Sequence, residues 1–372
     1  MDDIQTQYEL TGIMSQNPFT RHNSSARLQM YFSHLPQSLA TAGMTPRNFI
    51  TGTEINFGET THCIRFPNTA DIFKVIEKQI VNPDTGKTSP SPVSVIVYQN
   101  IDSNVREFDV LEVPRNHCLH QHYGFSYRPT ANLSKVRLGA VVPSGTIIAD
   151  APGVMSDGTF MYGTEVPFAL MSHPAVTEDG VLMAKEYLDA QRIEAYGNRT
   201  FRIGGDRMPL NIYGDIKNYK IIPDIGDPIR ADGLLFAARE FDPILAGVYM
   251  HPDYLRTPEN GDDHTYAVPG AIVTDITVIR GLHPQCSYPE EFNAQCEYYH
   301  DKHTDYCKQL LATEKEIRQR YGNNARLGPE LQSMLADALA YVSQTVRRNA
   351  VEPIYDKLPV RDWLIKVDFK YL

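Results

Sequence analysis

Trp363-Leu364-Ile365-Lys366-Val367-Asp368-Phe369-Lys370-Tyr371 decides how the rest of this chain is read. Trp363, Ile365, Val367, Phe369 and Tyr371 share one parity and Lys366, Asp368 and Lys370 the other, which is the two-residue period of a half-buried strand. No turn signal follows it. A strand of that kind offers a row of unpaired N–H and C=O groups to another chain. The expectation is a fold interrupted in mid-sheet and completed by a second polypeptide, with Ile365 and Phe369 as docking side chains.

Upstream, residues 289–350 switch to a helical period. Ser287 and Glu290 form a capping-box pattern with Pro289 in the first turn, and Tyr299, Tyr306, Leu310, Ile317 and Tyr321 follow at spacings of seven and four. Gly322 stops that helix, and a second begins after Gly328-Pro329, so the pair reads as an antiparallel helical hairpin. Residues 206–288 read as strands at Tyr219–Ile222, Gly233–Ala238 and Ala271–Ile279, interrupted by a loop over 241–266. Its apolar centre carries Ile244, Leu245, Val248 and Tyr249 and marks a projecting tip used for docking. From about 51 to 205 short alternations such as Val93–Tyr98 are separated by Pro, Gly, Asn and Asp, with helix only around 180–190. The fold class is mixed, mainly β with α, divided as 1–205, 206–288, 289–350 and a return strand in 351–372.

The chain has 372 residues, enough for two or three domains with real cores, and 42% hydrophobic with 22% charged residues is ordinary for a globular protein. No apolar run is long enough for a transmembrane helix, and the start MDDIQTQYEL lacks a signal peptide's basic and apolar regions. A net charge of −10 argues against a protein that coats nucleic acid, although basic residues cluster locally at Lys135/Arg137, Arg199/Arg202, Arg318/Arg320/Arg326 and Arg347/Arg348. Five cysteines, an odd number, read as free thiols. The stretch His117-Cys118-Leu119-His120-Gln121-His122 is dense enough for three-ligand zinc but has no fourth ligand at a usual spacing. Cys296, His300, His303 and Cys307 recur at helical spacing, and one helix stripe cannot surround a tetrahedral ion, so they read as a half-buried face.

Several segments carry a family resemblance. Asn17–Met30, NPFTRHNSSARLQM, is an arginine-bearing helix opened by a Ser/Asn turn, in which Asn23, Ser24 or Ser25 serves as cap. Val142–Asp150 with Gly153, Gly163–Met171, the acidic pair Glu178-Asp179 before Gly180-Val181-Leu182, Ile225–Leu235 and Trp363–Leu372 follow in that order. Together they resemble the β subunit of the multisubunit DNA-dependent RNA polymerases, in the split form found in giant phages. The family's Gly-Arg-His-Gly signature is absent, and Ser172–Thr177 stands where the family has Trp, Gly and an aromatic.

The resemblance implies an incomplete double-psi β-barrel formed by 1–205 and 351–372, a flap-like domain at 206–288 and a helical insertion at 289–350. It assigns Arg27 to the triphosphate of the incoming nucleotide, where a guanidinium offers a fixed fork of donors. It places Gln37 on the following turn near the same site and Glu178 and Asp179 near a second Mg2+, the ion itself being held mainly by the β′ analogue. The implied partners are the remaining β and β′ fragments, a promoter-recognition subunit at the 241–266 tip, DNA template, RNA product and NTPs. The implied setting is the host cytoplasm, a phage replication compartment or the virion. Two other classes stay open: a virion structural protein, and a metal-dependent hydrolase using His117, His120 and His122.

Overall fold

The computed structural model describes residues 22–34, 63–88, 93–120, 123–151, 166–176, 180–190, 194–204, 206–241, 244, 252–281, 290–343 and 362–372. In chain order, α1 (Ser25–His34) is followed by β1 (Ile64–Arg65), β2 (Ala70–Lys78), β3 (Val93–Asn100), β4 (Glu107–Val113), β5 (Asn116–His120) and β6 (Tyr123–Ser126). Next come β7 (Arg128–Pro129), β8 (Val141–Val142), β9 (Ile147–Asp150), α2 (Lys185–Ala190), β10 (Ala195–Ile203) and β11 (Arg207–Pro209). Then follow β12 (Leu234–Glu240), α3 (Pro252–Arg256), β13 (Asp263–Tyr266) and β14 (Ile272–Arg280). The last elements are α4 (Glu290–Tyr321), β15 (Arg326–Leu327), α5 (Pro329–Ser343) and β16 (Trp363–Tyr371). The architecture is mixed and mainly β, in several sheets, with no closed barrel among the described residues.

Two compact units emerge: Met1–Arg65 with Ser126–Ser134 and Gly145–Glu194, and Phe66–Phe125 with Lys135–Ser144 and Ala195–Leu372. Strands β2 to β4 therefore group with residues 195–372 rather than with the rest of the 1–205 segment. The first unit holds a small sheet of order β1-β9-β7. Ile147, Ile148 and Ala149 are buried in it, and the Ile147 carbonyl accepts hydrogen bonds from Thr130 Oγ1 at 2.9 Å and Asn132 Nδ2 at 3.0 Å.

The second unit is organised by β16. Its alternation matches its burial: Trp363, Ile365, Val367 and Phe369 are at most 1% exposed and the intervening residues are less covered. The expected open edge is corrected, because β16 is the middle strand of β10-β16-β14. It pairs antiparallel with β10 from Ala195↔Tyr371 to Ile203↔Trp363 and with β14 from Ile272↔Lys370 to Arg280↔Trp363. Both of its edges are satisfied within the chain, and Ile365 and Phe369 lie in a core with Phe201, Phe236, Ile276 and Tyr299. They are interior side chains, not a docking surface.

A second sheet of order β15-β4-β3-β2-β8 packs Phe73, Val95, Val97 and Phe108 against Leu310, Ile317, Leu331 and Leu335 of α4 and α5. Gly322 ends α4 with φ 78, its N–H bonding the Arg318 carbonyl at 2.9 Å, a left-handed stop that favours glycine. The start of α5 is capped from outside the helix. Asp109 of β4 accepts from Leu331 N at 2.9 Å, and a Cβ at Gly328 would collide with the same carboxylate. Burial, the largest cause, holds the Asp109 carboxyl above the usual range against these bonds.

Tyr219–Ile222, expected as a strand, is an irregular segment instead, with Ile221 and Ile222 buried. The Asn211 side chain replaces a ladder partner, accepting from Lys220 N at 2.8 Å and donating to Asp215 O at 2.8 Å, while Tyr213 N bonds Lys220 O at 3.0 Å. A Cβ at Gly214 would fall 2.1 Å from Asn211 Oδ1, so only glycine admits this approach.

Truncation of the central strand tests its place. Ile365→Ala should cost about 2–5 kcal/mol and Phe369→Ala about 3–5 kcal/mol in urea unfolding. An unchanged midpoint for both would return the strand to a solvent-facing tail. Asp109→Ala should cost about 0.5–2 kcal/mol through the lost cap, with loss of amide-exchange protection in the first turn of α5; protection equal to the parent's would refute the cap.

Candidate functional site

Arg27 stands on α1, and the cap is Ser24. Its Oγ accepts from Arg27 N at 3.4 Å and its carbonyl accepts the first helical bond from Leu28 N at 3.1 Å. Leu28 is buried and anchors the helix, while Arg27 on the outer face is exposed with Nη1 3.9 Å from Met30 Sδ. The guanidinium fork is thus presented outward on a fixed helical turn. Gln37, Glu178 and Asp179 lie outside the described residues. The apolar runs near them, which match strands in the family the segments resemble, form neither helix nor strand here at 166–171 and 180–183. Phe168 at 83% and Leu170 at 94% are among the most exposed apolar side chains described.

The 241–266 loop is not one loop. Its second half is α3 and β13, which pairs with β12, and Leu255 is buried under Met208, Leu210 and Ala237. Arg239 clamps the connection: Nε and Nη2 reach the two Asp262 oxygens at 2.8 and 2.7 Å, while Nη1 and Nη2 donate to Tyr254 O and Thr257 O at 3.2 Å. Of the loop expected over 241–266, only 242–251 is left outside these elements. Ile244 is described there and is 90% exposed; Leu245, Val248 and Tyr249 lie outside the described residues.

His117 on β5 has its ring 5.5 Å from that of Phe125, and His122 and the side chain of His120 lie outside the described residues. Among the described residues no group of three or more His, Cys, Asp or Glu is placed to hold a metal ion. The α4 stripe, expected as a half-buried face, is buried at Cys296, His300 and Cys307 and partly covered at His303. Cys296 and Cys307 are buried free thiols, and burial pushes the Cys307 thiol up to about 11, which makes it a poor nucleophile at neutral pH. His300 Nδ1 sits 2.9 Å from Tyr341 Oη and 3.3 Å from Val278 O, the carbonyl to which Tyr341 also donates. The His303 ring packs edge-on at 4.3 Å against Tyr341, and its Nδ1 is closed off without a partner. Burial first, then the charge of Lys78, holds the His303 pKa down to about 3.

One polar constellation was not singled out from sequence. A cleft of about 750 Å³ is lined by Asp84, Lys217, Tyr219, Lys220, Asp224, Gln295 and Tyr298 among others. Lys220 Nζ lies 2.7 Å from Asp224, 2.9 Å from Asp227 and 3.5 Å from Asp84. Asp224 also accepts from Tyr299 Oη at 2.7 Å and Gln295 Nε2 at 2.9 Å. Lys220, Asp84, Asp224 and Asp227 are spent on one another, so the cluster reads as a fastener between α4 and the 219–227 segment. The Lys220-x-x-x-Asp224-x-x-Asp227 spacing was its only signal, and such spacings are common.

A pH-dependence follows from His303. Its folded pKa of about 3 lies below the ordinary 6.5, so the unfolded chain takes up the proton first as pH falls. The stability it contributes is fully present above about 6.5 and is lost progressively toward 3, by at most about 1.4 kcal/mol per pH unit. His303→Phe should therefore gain on the parent protein between pH 7 and 5 in urea unfolding; parallel losses in both proteins would refute the assignment.

Among the described residues no helix is long and apolar enough to cross a membrane. No family model matches this chain, and no curated protein matches it.

Proposed function

We propose that this chain is a β-type fragment of a split, multisubunit DNA-directed RNA polymerase, completing the nucleotide-binding side of the active centre. The order of the six segments from Asn17–Met30 to Trp363–Leu372 carries the reading. The mixed, mainly β architecture and the outward presentation of Arg27 on a capped helix support it. In this reading the strands contribute to a double-psi β-barrel.

The chemistry is template-directed phosphoryl transfer from NTPs in the assembled enzyme, a reaction that depends on positioning and charge neutralisation more than on covalent catalysis. Arg27 supplies the planar donors that phosphate oxygens accept. Gln37 adds a polar contact, and Glu178 and Asp179 are the carboxylates nearest the second Mg2+, whose cage belongs to the β′ analogue; the Asp-x-Asp-x-Asp loop is not found in these 372 residues. The apolar tip with Ile244, Leu245, Val248 and Tyr249 engages a promoter-recognition subunit. DNA, RNA and the other β and β′ fragments are the remaining partners.

Three experiments test this. Co-expressed with the other polymerase fragments, the chain should co-purify with them and support nucleotide addition that it does not perform alone; synthesis by the isolated chain, or failure to associate, would sink the reading. In the assembled enzyme Arg27→Ala should weaken NTP use by on the order of 1.5–3 kcal/mol, with Arg27→Lys recovering only part. Serine at 244, 245, 248 and 249 should abolish promoter-dependent initiation while leaving elongation from a preformed scaffold intact. Equal loss of both activities would make the tip structural.

A further inference from the structure

We propose that Asn260-Gly261 is a self-modification site, at which the asparagine deamidates through an imide to isoaspartate and thereby releases the clamp that holds α3 and β13 to β12. It is the only Asn-Gly pair in the 372-residue sequence. The pair forms the exposed centre of a turn closed by Asp262 N, which donates to Glu259 O at 3.0 Å. Neither the Asn260 side-chain amide nor the Gly261 N–H is engaged by another group among the described residues. A Cβ built on Gly261 would meet nothing within 4 Å, so no neighbouring group crowds this side of the turn. The ends of the turn are held instead. Asp262 accepts from Arg239 Nε at 2.8 Å and Nη2 at 2.7 Å, and its Oδ2 also accepts from Glu259 N at 2.7 Å.

The reaction needs only water. The Gly261 nitrogen, having given its proton to solvent base, attacks Asn260 Cγ; the N–Cγ bond forms, the Cγ–Nδ2 bond breaks and ammonia leaves with a proton from water. Glycine favours this step, because without a Cβ its nitrogen approaches freely and its backbone reaches the cyclic geometry. Water then opens the imide. Attack at Cγ leaves aspartate, and attack at the main-chain carbonyl leaves isoaspartate, in which the chain runs through Cβ. In sum a water is consumed and ammonia released, with no oxidant or reductant. The isoaspartyl product lengthens the main chain inside the turn and adds a carboxylate to a stretch that already holds Glu259, Asp262 and Asp263. Asp262 can then no longer serve both Glu259 N and Arg239. The Arg239 side chain is only 6% exposed, so a displaced Asp262 strands a buried guanidinium. That guanidinium also holds Tyr254 O and Thr257 O, and α3 and β13 lose their fastening with it. The site stands independently of the polymerase reading.

The test is incubation of the full chain at mildly alkaline pH, sampled over days, with peptide mapping by mass spectrometry and amide exchange on the same samples. Asn260 should convert, mainly to isoaspartate, several-fold faster than the exposed Asn323 and Asn324. In step with it α3 and β13 should lose exchange protection while β14 and β16 keep theirs. Gly261→Ala has room for its methyl group and no left-handed φ to satisfy, so it should fold as the parent does. It should slow the conversion several-fold and hold its protection through the same incubation. Asn260→Asp, which adds the charge without lengthening the chain, should keep most of that protection when fresh; loss equal to that of the aged parent overturns the role of chain lengthening. Equal conversion rates in the parent and Gly261→Ala overturn the modification site, as does conversion at Asn260 no faster than at Asn323 and Asn324. Conversion that leaves α3 and β13 fully protected overturns the release of the clamp.

Discussion

Insertion of β16 between β10 and β14 is the constraint on which the larger unit depends. Three segments far apart in sequence, 195–203, 272–280 and 363–371, meet only through it. Everything between them is an excursion whose closure costs entropy, although that cost rises only slowly with loop length. Burial offsets it. Trp363, Ile365, Val367 and Phe369 reach the same core as the stacked pair Phe201–Phe236, whose centroids are 4.4 Å apart, and each large side chain is worth roughly 1.5–3 kcal/mol. The last strand in the chain is thus the one without which the strands on either side have no common partner.

That insertion creates an electrostatic problem which the surrounding elements solve. The register sets Asp275 of β14 directly opposite Asp368 of β16, an arrangement of like charges that destabilises a sheet. Burial, the largest cause, holds the Asp368 carboxyl above the usual range, with Asp275 adding to it and Lys366 at 3.2 Å opposing it. Lys78 from the end of β2 comes within 3.5 Å of Asp275, and Arg115 within 3.9 Å. Arg115 also donates to Thr274 O at 3.1 Å and Lys78 O at 3.2 Å, tying the turn after β4 to both sheets. The cations that neutralise the carboxylate pair therefore also tie the two sheets of this unit to one another, adding to the apolar packing of β2 to β4 on α4 and α5.

How much of this was legible follows from range. The alternation of 363–371 and the stop at Gly322 are properties of neighbouring residues, and both read correctly as local structure. The partner of 363–371 did not, because a strand's sequence reports which face is buried but not what lies along its edges. Tyr219–Ile222 has strand-like residues, yet its backbone is satisfied by the Asn211 side chain, a substitution no periodicity reveals. The same limit blurred 241–266, where turn-forming residues hide α3 and β13 held by Arg239. At the candidate site the motif order and the cap of α1 were readable from sequence. The cluster around Lys220 was not, since Asp84 and Gln295 reach it from distant parts of the chain.

Two kinds of cation stand apart among the described residues. Lys220, Arg239, Arg115 and Lys78 are largely withdrawn from solvent and each is bound to carboxylates or carbonyls within the chain, where they hold parts of the fold together. Removing one partner of such a pair strands the other, and the cost falls on folding. Arg27 is exposed and held by its helix rather than by an acid. A preorganised guanidinium with its donors still toward water loses little rotamer freedom when an anion arrives, and it meets that anion with a fixed fork.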